Sequence, residues 1–329
     1  MNVAIIGCGL IGHKRAQVLG QHRLVACADT NIERADALAA AWPGCAASQE
    51  PRAAIERADV DLVIVATTHD ALAQNALRAV RSGKHVLVEK PAARRAEELE
   101  PVIQAAHGAR VCVKVGFNHR FHPGPRMARR VFADGGIGEL LYIRGRYGHG
   151  GRPGYEREWR ANPSLSGGGE LLDQGSHLID LARWFAGEFV EATGHLATYF
   201  WEMPVEDNAF ILLKTAAGQV AWLHTSWTEW KNLFSFEVFG RTGKLQIDGL
   251  GGSYGAERLT YYRMLPELGP PDVQEWTFPD EDTSWRAEFD HFVECVETGV
   301  QPDGTLADAL ASLRLVHSLY RATDRDYRS

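Results

Sequence analysis

The run Val86-Leu87-Val88 ends directly in Glu89-Lys90-Pro91. An apolar strand that delivers a lysine at its end has two readings. Either the strand simply reaches solvent there, or the ammonium is placed to donate a hydrogen bond to an oxygen that gains charge during a reaction. A second concentration of reactive side chains lies in residues 166–185, SGGGELLDQGSHLIDLARWF. Asp173 and His177 are four apart and share one helix face, with Asp180 on nearly the same face. An aspartate beside a histidine is a proton-transfer set. The same side chains could instead hold a cation, or the histidine could be a satisfied structural group. No further ligand cluster accompanies them, so no metal is expected.

The third feature is the turn Gly7-Cys8-Gly9-Leu10-Ile11-Gly12, directly after the apolar run 3–7. A glycine pattern between strand and helix suits a dinucleotide. The first glycine allows the tight turn, the second lets backbone approach a pyrophosphate, and the third lets helix and strand pack closely. The anion then lies at the helix N-terminus, beside Leu10 and Ile11. Asp29 ends the second apolar run, where a carboxylate accepts hydrogen bonds from ribose hydroxyls and opposes a 2′-phosphate. This favours NAD over NADP, although Arg34, a helical turn further on, could soften the preference. The other reading of Asp29 is a cap on the following helix.

These residues need elements to hold them. Up to about residue 120, apolar runs at 3–7, 24–29, 62–67, 85–89 and 111–117 alternate with amphipathic helical segments. That pattern predicts an α/β domain with a parallel sheet covered on both faces. Parallel strands share a direction, so Lys90, at the end of the fourth expected strand, shares the sheet edge of the glycine turn. Beyond that point strand-like segments predominate, joined by short turns at 216–218 and 241–243. They predict an α+β domain with a large, open, mostly antiparallel sheet. Helices are expected at 122–134, 170–186, 285–298 and 305–323, and a loop at 268–274. The expected domains are a dinucleotide-binding unit over 1–121 and a substrate-binding and oligomerisation unit over 122–329.

Two further segments supply side chains for a substrate. Residues 116–124 contain Asn118, Arg120 and His122; residues 148–164 contain His149, Arg152, Tyr155, Arg157, Trp159, Arg160 and Asn162. Aromatic faces among hydrogen-bond donors suit a carbohydrate, and the arginines suit an anionic or nucleotide-linked one. Alternatively, several arginines pair with Glu156, Glu158 and Glu170 as scaffolding. Trp222, Trp227 and Trp230 read as core or subunit interface. A net charge of −7 gives no reason to expect nucleic acid or an anionic membrane as a partner. The N-terminus lacks the pattern of a signal peptide, and no apolar run approaches a membrane span. Five scattered cysteines form neither a disulfide framework nor a zinc ribbon, so a reduced, cytoplasmic setting is expected. Apolar and aromatic residues at the outward positions of 219–227 predict a homodimer or homotetramer packed through the second sheet.

The glycine turn, the strand-end Glu89-Lys90-Pro91, the segment GGGELLDQGSHLID and the antiparallel second domain together resemble the Gfo/Idh/MocA oxidoreductase family over nearly the whole chain. The resemblance implies a Rossmann domain that binds NAD or NADP, and oxidation or reduction of a secondary alcohol or ketone on a sugar, sugar nucleotide or cyclitol. It implies that Lys90 is the active-site lysine and that Asp173 and His177 are the catalytic pair of the second domain. Cofactor contacts are then expected from Gly7, Gly9, Leu10, Ile11, Gly12, Asp29, Thr67, Thr68, His69, Glu89 and Lys90. Substrate contacts are expected from Lys90, Asn118, Arg120, Tyr155, Arg157, Trp159, Asp173 and His177. The chain departs from the family after the third expected strand: Thr68 stands in place of a proline, and Leu72 where a histidine aligns. Two other functions fit the same scaffold. One is a glycosidase that uses transient oxidation by NAD, the other a non-catalytic NAD or sugar sensor.

Overall fold

The computed structural model describes residues 1–279, 281–323 and 325. The chain divides into two compact units. One comprises Met1–Asn118 and Trp285–Leu310; the other comprises His119–Ser284 and the chain from Ala311 onward. The crossing near residue 120 is therefore only the first of several, because residues 285–310 return to the first unit.

The first unit holds a six-stranded parallel sheet. Its strands are β1 (Asn2–Ile6), β2 (Arg23–Ala28), β3 (Ala46–Ser48), β4 (Leu62–Val65), β5 (His85–Glu89) and β6 (Val113–Gly116), in the order β3-β2-β1-β4-β5-β6. The helices α1 (Leu10–Gln17), α2 (Ile32–Ala40), α3 (Pro51–Ile55), α4 (His69–Arg81) and α5 (Ala96–Gly108) alternate with them. Val3, Ile5, Leu62, Ile64 and Leu87 are fully buried, as the continuous apolar runs require of strands covered on both faces. The short β3 was not anticipated, since Ala-Ala-Ser carries no apolar run. It makes the strand that ends at Glu89 the fifth rather than the fourth.

The second unit holds an eight-stranded sheet. Its strands are β7 (Leu140–Gly148), β8 (Phe189–Ala197), β9 (Asn208–Thr215), β10 (Val220–Ser226), β11 (Leu233–Gly240), β12 (Gly243–Asp248), β13 (Arg258–Arg263) and β14 (Asp272–Thr277), in the order β14-β13-β12-β11-β7-β10-β9-β8. Every pairing is antiparallel except β7 with β10. The expected loop at 268–274 runs into β14, an edge strand paired with β13 (Tyr261 opposite Gln274). The helices of this region are α6 (Pro123–Ala133), α7 (Pro163–Ser166), α8 (Glu170–Asp173) and α9 (Gly175–Ala186). The single helix expected over 170–186 is thus split at Gln174. Gly145 on β7 lets α9 lie close to the sheet: a Cβ there would come 3.4 Å from Leu178 and 3.0 Å from Leu223. The chain ends in α10 (Ser284–Thr298) and α11 (Leu306–Ala322). Phe289 and Phe292 of α10 join the core of the first unit. Among the described residues no helix is long and apolar enough to cross a membrane.

Candidate active site

The first unit presents the glycine turn between β1 and α1. Gly7 has φ of +94°, and a Cβ there would fall 2.4 Å from the Ala66 carbonyl oxygen. A Cβ on Gly12 would fall 2.1 Å from the Gly7 oxygen, so only glycine fits either position. Gly9 differs, because a Cβ there would meet no protein atom within 4 Å. Steric conflict inside the fold explains the outer two glycines; the middle one leaves a bare backbone facing open space. Leu10 beside it is 74% exposed, an unusual position for leucine at the start of a helix. These features fit a dinucleotide lying across the turn. Asp29 sits just past β2 and is bound into the same construction. Its two carboxylate oxygens accept hydrogen bonds from Cys8 N at 2.8 Å and Asn31 N at 2.9 Å. Asn31, not Asp29, caps α2, by accepting from Glu33 N.

Thr67, Thr68 and His69 lie at the end of β4 and the start of α4. Thr68 Oγ1 donates to Asp70, His69 is buried, and Leu72 is fully buried in the core. Lys90 follows β5, in a turn closed by Ala92 N donating to the Glu89 oxygen at 2.9 Å. Glu89 is buried, and its side chain engages Arg15 of α1: Nε donates to Oε1 at 2.6 Å. Arg15 also lies 2.8 Å from Glu288 of α10, whose other oxygen is 3.3 Å from Lys114 of β6. Burial pushes the Glu89 carboxyl above its ordinary value, with Arg15 opposing. Removing such charges from water costs several kcal/mol per ion, which close pairing about repays. The quartet is therefore a poor source of net stability.

The second unit carries Asp173 and His177. The triple glycine before them has a packing cause. A Cβ on Gly168 would fall 2.0 Å from the Tyr320 hydroxyl, and one on Gly169 would fall 2.1 Å from the Glu206 oxygen. The buried Glu206 carboxylate accepts from Gly169 N, Leu171 N and the Tyr320 hydroxyl, which pins the start of α8. Asp173, the last residue of α8, is buried and accepts from Arg160 Nε at 2.8 Å. His177 lies in the first turn of α9, with its ring stacked on His119: centroids 3.7 Å apart, planes 19° from parallel. Tyr147 of β7 meets His119 edge-on at 5.1 Å and lies 5.1 Å from Tyr254, whose hydroxyl accepts from Gln174 at 3.2 Å. Burial pushes the Tyr254 hydroxyl up to about 12 and His149 down to about 4.

The remaining expected substrate residues separate. Arg120 is buried with its guanidinium on Asp180, at 2.6 and 2.8 Å. That contact accounts for Asp180 on the third position of the helix face. Asn118 is buried. Tyr155 is buried among His149, Trp201 and Trp227, with ring centroids at 5.5, 5.6 and 5.0 Å. Arg157 is largely exposed beside Glu156, and Trp159 lies under the Arg160 guanidinium at 4.6 Å. His122 bonds Glu257. Among the described residues no group of three or more His, Cys, Asp or Glu side chains is placed to hold a metal. His119, Tyr147, Gln174 and Tyr254 were not anticipated. A turn of 3-10 helix over Asn118–Phe121 brings His119 onto His177. The sequence reading takes Asn118, Arg120 and His122 from this segment and passes over His119.

Two family profiles match the chain. One, described as an oxidoreductase family with an NAD-binding Rossmann fold, covers residues 1–117; the other, a GFO/IDH/MocA C-terminal domain, covers residues 126–246. Inositol 2-dehydrogenase 2 of Saccharopolyspora erythraea is 34% identical over 226 residues, a match that spans 66% of this chain and 64% of that protein. Levoglucosan dehydrogenase of Pseudarthrobacter phenanthrenivorans is 30% identical over 233 residues, spanning 66% of this chain and 59% of that protein. The match thus covers less than two thirds of either relative. The structure of an aldose-aldose oxidoreductase from Caulobacter crescentus, complexed with glycerol, superposes with a TM-score of 0.85 at 26% identity, covering 98% of this chain and 97% of that one.

Proposed function

Because the chain belongs to the GFO/IDH/MocA family of oxidoreductases, we propose that it is an NAD-dependent dehydrogenase or ketoreductase acting on a secondary alcohol of a sugar, sugar nucleotide or cyclitol. The observation that carries this reading is the glycine turn. Its outer glycines are demanded by packing, while Gly9 leaves backbone open at a helix N-terminus. The related proteins named for inositol and levoglucosan support a ring bearing several hydroxyls as substrate.

In this reading the turn from Gly7 to Gly12, with Leu10 and Ile11, holds the pyrophosphate, and Asp29 takes the ribose hydroxyls and favours NAD over NADP. Thr67, Thr68, His69 and Lys90 complete the cofactor side. When bound, the nicotinamide supplies the hydride acceptor. His177 accepts the hydroxyl proton at an imidazole nitrogen, and the stacked His119 limits how that ring can turn. Asp173 is held by Arg160 and aligns substrate or imidazole. Lys90 donates a hydrogen bond to the reacting oxygen. In this reading Arg157 and Trp159 are the side chains of their segment that meet the substrate, while Tyr155, buried among His149, Trp201 and Trp227, holds that segment in place and Asn118 is buried at the end of the first unit. Five cysteines outside any disulfide suit a reducing, cytoplasmic setting.

The test is a panel of inositols, free sugars, glycosides and sugar nucleotides assayed for NAD reduction. NADH formation from at least one, abolished in a Lys90→Ala/His177→Ala double variant, supports the reading. Release of an aglycone without net NADH, or no turnover of any member, would replace it.

A further inference from the structure

Four charged side chains of the first unit are buried together, and their function is not explained by binding or by stability. Arg15, Glu89, Glu288 and Lys114 come from four separate elements: α1, the end of β5, α10 and β6. They form a continuous series, from Glu89 to Arg15 at 2.6 Å, Arg15 to Glu288 at 2.8 Å, and Glu288 to Lys114 at 3.3 Å. The backbone is cleared to admit them. A Cβ on Gly116 would fall 2.9 Å from Arg15 Nη2 and 3.0 Å from Glu89 Oε2, and one on Gly304 would fall 3.1 Å from Lys114 Nζ. Trp285 covers the Arg15 guanidinium at 4.4 Å. Apolar side chains of similar volume would hold the same elements together as well or better.

What the charges add is direction. A guanidinium and a carboxylate meet in one geometry, whereas apolar groups slide. Glu89 is bonded through the chain to Lys90, and its carbonyl oxygen closes the turn that carries Lys90 by accepting from Ala92 N. Ala92 has φ of +71°, a conformation that non-glycine residues resist and that persists only where the surroundings enforce it. At the other end of the contact, Arg15 is one turn beyond Gly12, in the helix whose N-terminus opens on the glycine turn.

We propose that Arg15, Glu89, Glu288 and Lys114 are positioning residues that set the Lys90 ammonium relative to the glycine turn. Glu89, expected from the sequence among the cofactor contacts, instead has its side chain turned into the fold against Arg15 and acts through Lys90. The inference rests on the reading of Lys90 as the active-site lysine, so its test has a readout that needs no substrate. The rate at which an amine-reactive sulfonate labels Lys90, followed by mass spectrometry with and without NADH, is compared in the unmodified protein and in Glu89→Gln, Glu288→Gln and Lys114→Met.

The expected result is a change of at least about fivefold in Lys90 labelling in Glu89→Gln. Smaller changes follow in Glu288→Gln and the smallest in Lys114→Met, with NADH affinity within about threefold throughout. On a substrate, kcat falls about tenfold or more in Glu89→Gln while KM changes little, and Glu89→Asp recovers part of it. Labelling and kcat unchanged in folded Glu89→Gln would overturn the inference even if the enzyme reading stands. If Glu89→Gln does not fold, Glu288→Gln carries the same test, and an unchanged labelling rate there overturns it. Altered labelling in a protein that turns over no polyol would keep the positioning and remove the enzyme reading.

Discussion

Lys90 and His177 make predictions that separate a reactive role from a structural one. A solvated strand-end lysine contributes at most about 1 kcal/mol, so Lys90→Ala would then change little. If Lys90 faces the reacting oxygen, Lys90→Ala lowers kcat by roughly 100-fold or more with NAD affinity nearly intact, as does His177→Ala. The double variant falls short of the product of the two losses, because both act on one proton transfer. Steady-state kinetics at saturating NAD, beside NAD titrations, decides this. Asp29 gives a different pattern. Asp29→Ala loses the acceptor for both Cys8 N and Asn31 N, so NAD affinity falls roughly tenfold, and discrimination against NADP falls with it. Equal binding of NADP by the unmodified protein would show that Asp29 serves only the turn. Asp29, Asp173 and His177 stand out in the sequence because each is placed by local rules: the end of an apolar run, or spacing along one helix face. His119 does not, because its partner is 58 positions away (177 − 119) and the turn that aims it is too short to leave a periodicity. Arg120 shows the converse. It is a residue type suited to anions, yet its guanidinium meets an internal aspartate that no local pattern pairs with it.

At the scale of elements, the continuous apolar strands and the long helices were readable from periodicity alone. β3 and β14 were not. One has only three small residues; the other is a polar edge strand that takes its identity from the neighbour it pairs with. The stacked imidazoles between the 3-10 turn and α9 predict a substitution series. His119→Phe keeps a flat ring against His177 and retains most activity; His119→Ala frees the His177 ring and lowers kcat by about tenfold. Equal losses in the two variants would show that the imidazole nitrogens of His119 matter more than its plane. The loop that follows β7 predicts a pH effect. Burial lowers His149 to about 4 from 6.5, while Asp173 opposes the shift and Arg160 and Arg152 assist it. The unfolded chain therefore takes up this proton first as pH falls. The stability contributed by neutral His149 is complete above about 6.5 and is lost on acidification toward about 4. Thermal melts across that range should show a shallower decline in His149→Gln than in the unmodified protein.

For the molecule as a whole, the outer face of the second sheet sets the expectation. Trp222 and Leu212 stand opposite each other on β10 and β9, each 45% exposed, and Tyr142 stacks on Phe239 at 4.3 Å beside them. Covering such a face with a second copy would remove it from water, so a dimer or tetramer is the expected state. Light scattering should report one of these, and Trp222→Lys should shift the population toward monomer. A monomer at micromolar concentration in the unmodified protein would remove the expectation. Sequence alone does not assign α10 to a unit, because an amphipathic helix announces that it has a buried face and not which sheet it covers. Phe289, Phe292 and Glu288 place α10 with the first sheet through contacts with residues far earlier in the chain.

The parallel pairing of β7 with β10 has a kinetic consequence. A hairpin can zip from its turn, but Tyr142 meets Val220 and Gly148 meets Ser226 only after residues 149–219 have been threaded between them. The antiparallel pairing of β7 with β11 spans a still longer interval, with Gly148 opposite Leu233. The central strand of the second sheet thus has no sequence-local partner on either side, and closing such long loops precedes any reward from the contacts. Until that closure the apolar side chains of β9, β10 and β11 are exposed to other chains. Recovery from denaturant should therefore fall steeply as protein concentration rises. Substitutions that loosen β7, such as Ile143→Ala, should increase the loss to aggregation more than equally destabilising changes in the locally paired β12–β13 hairpin.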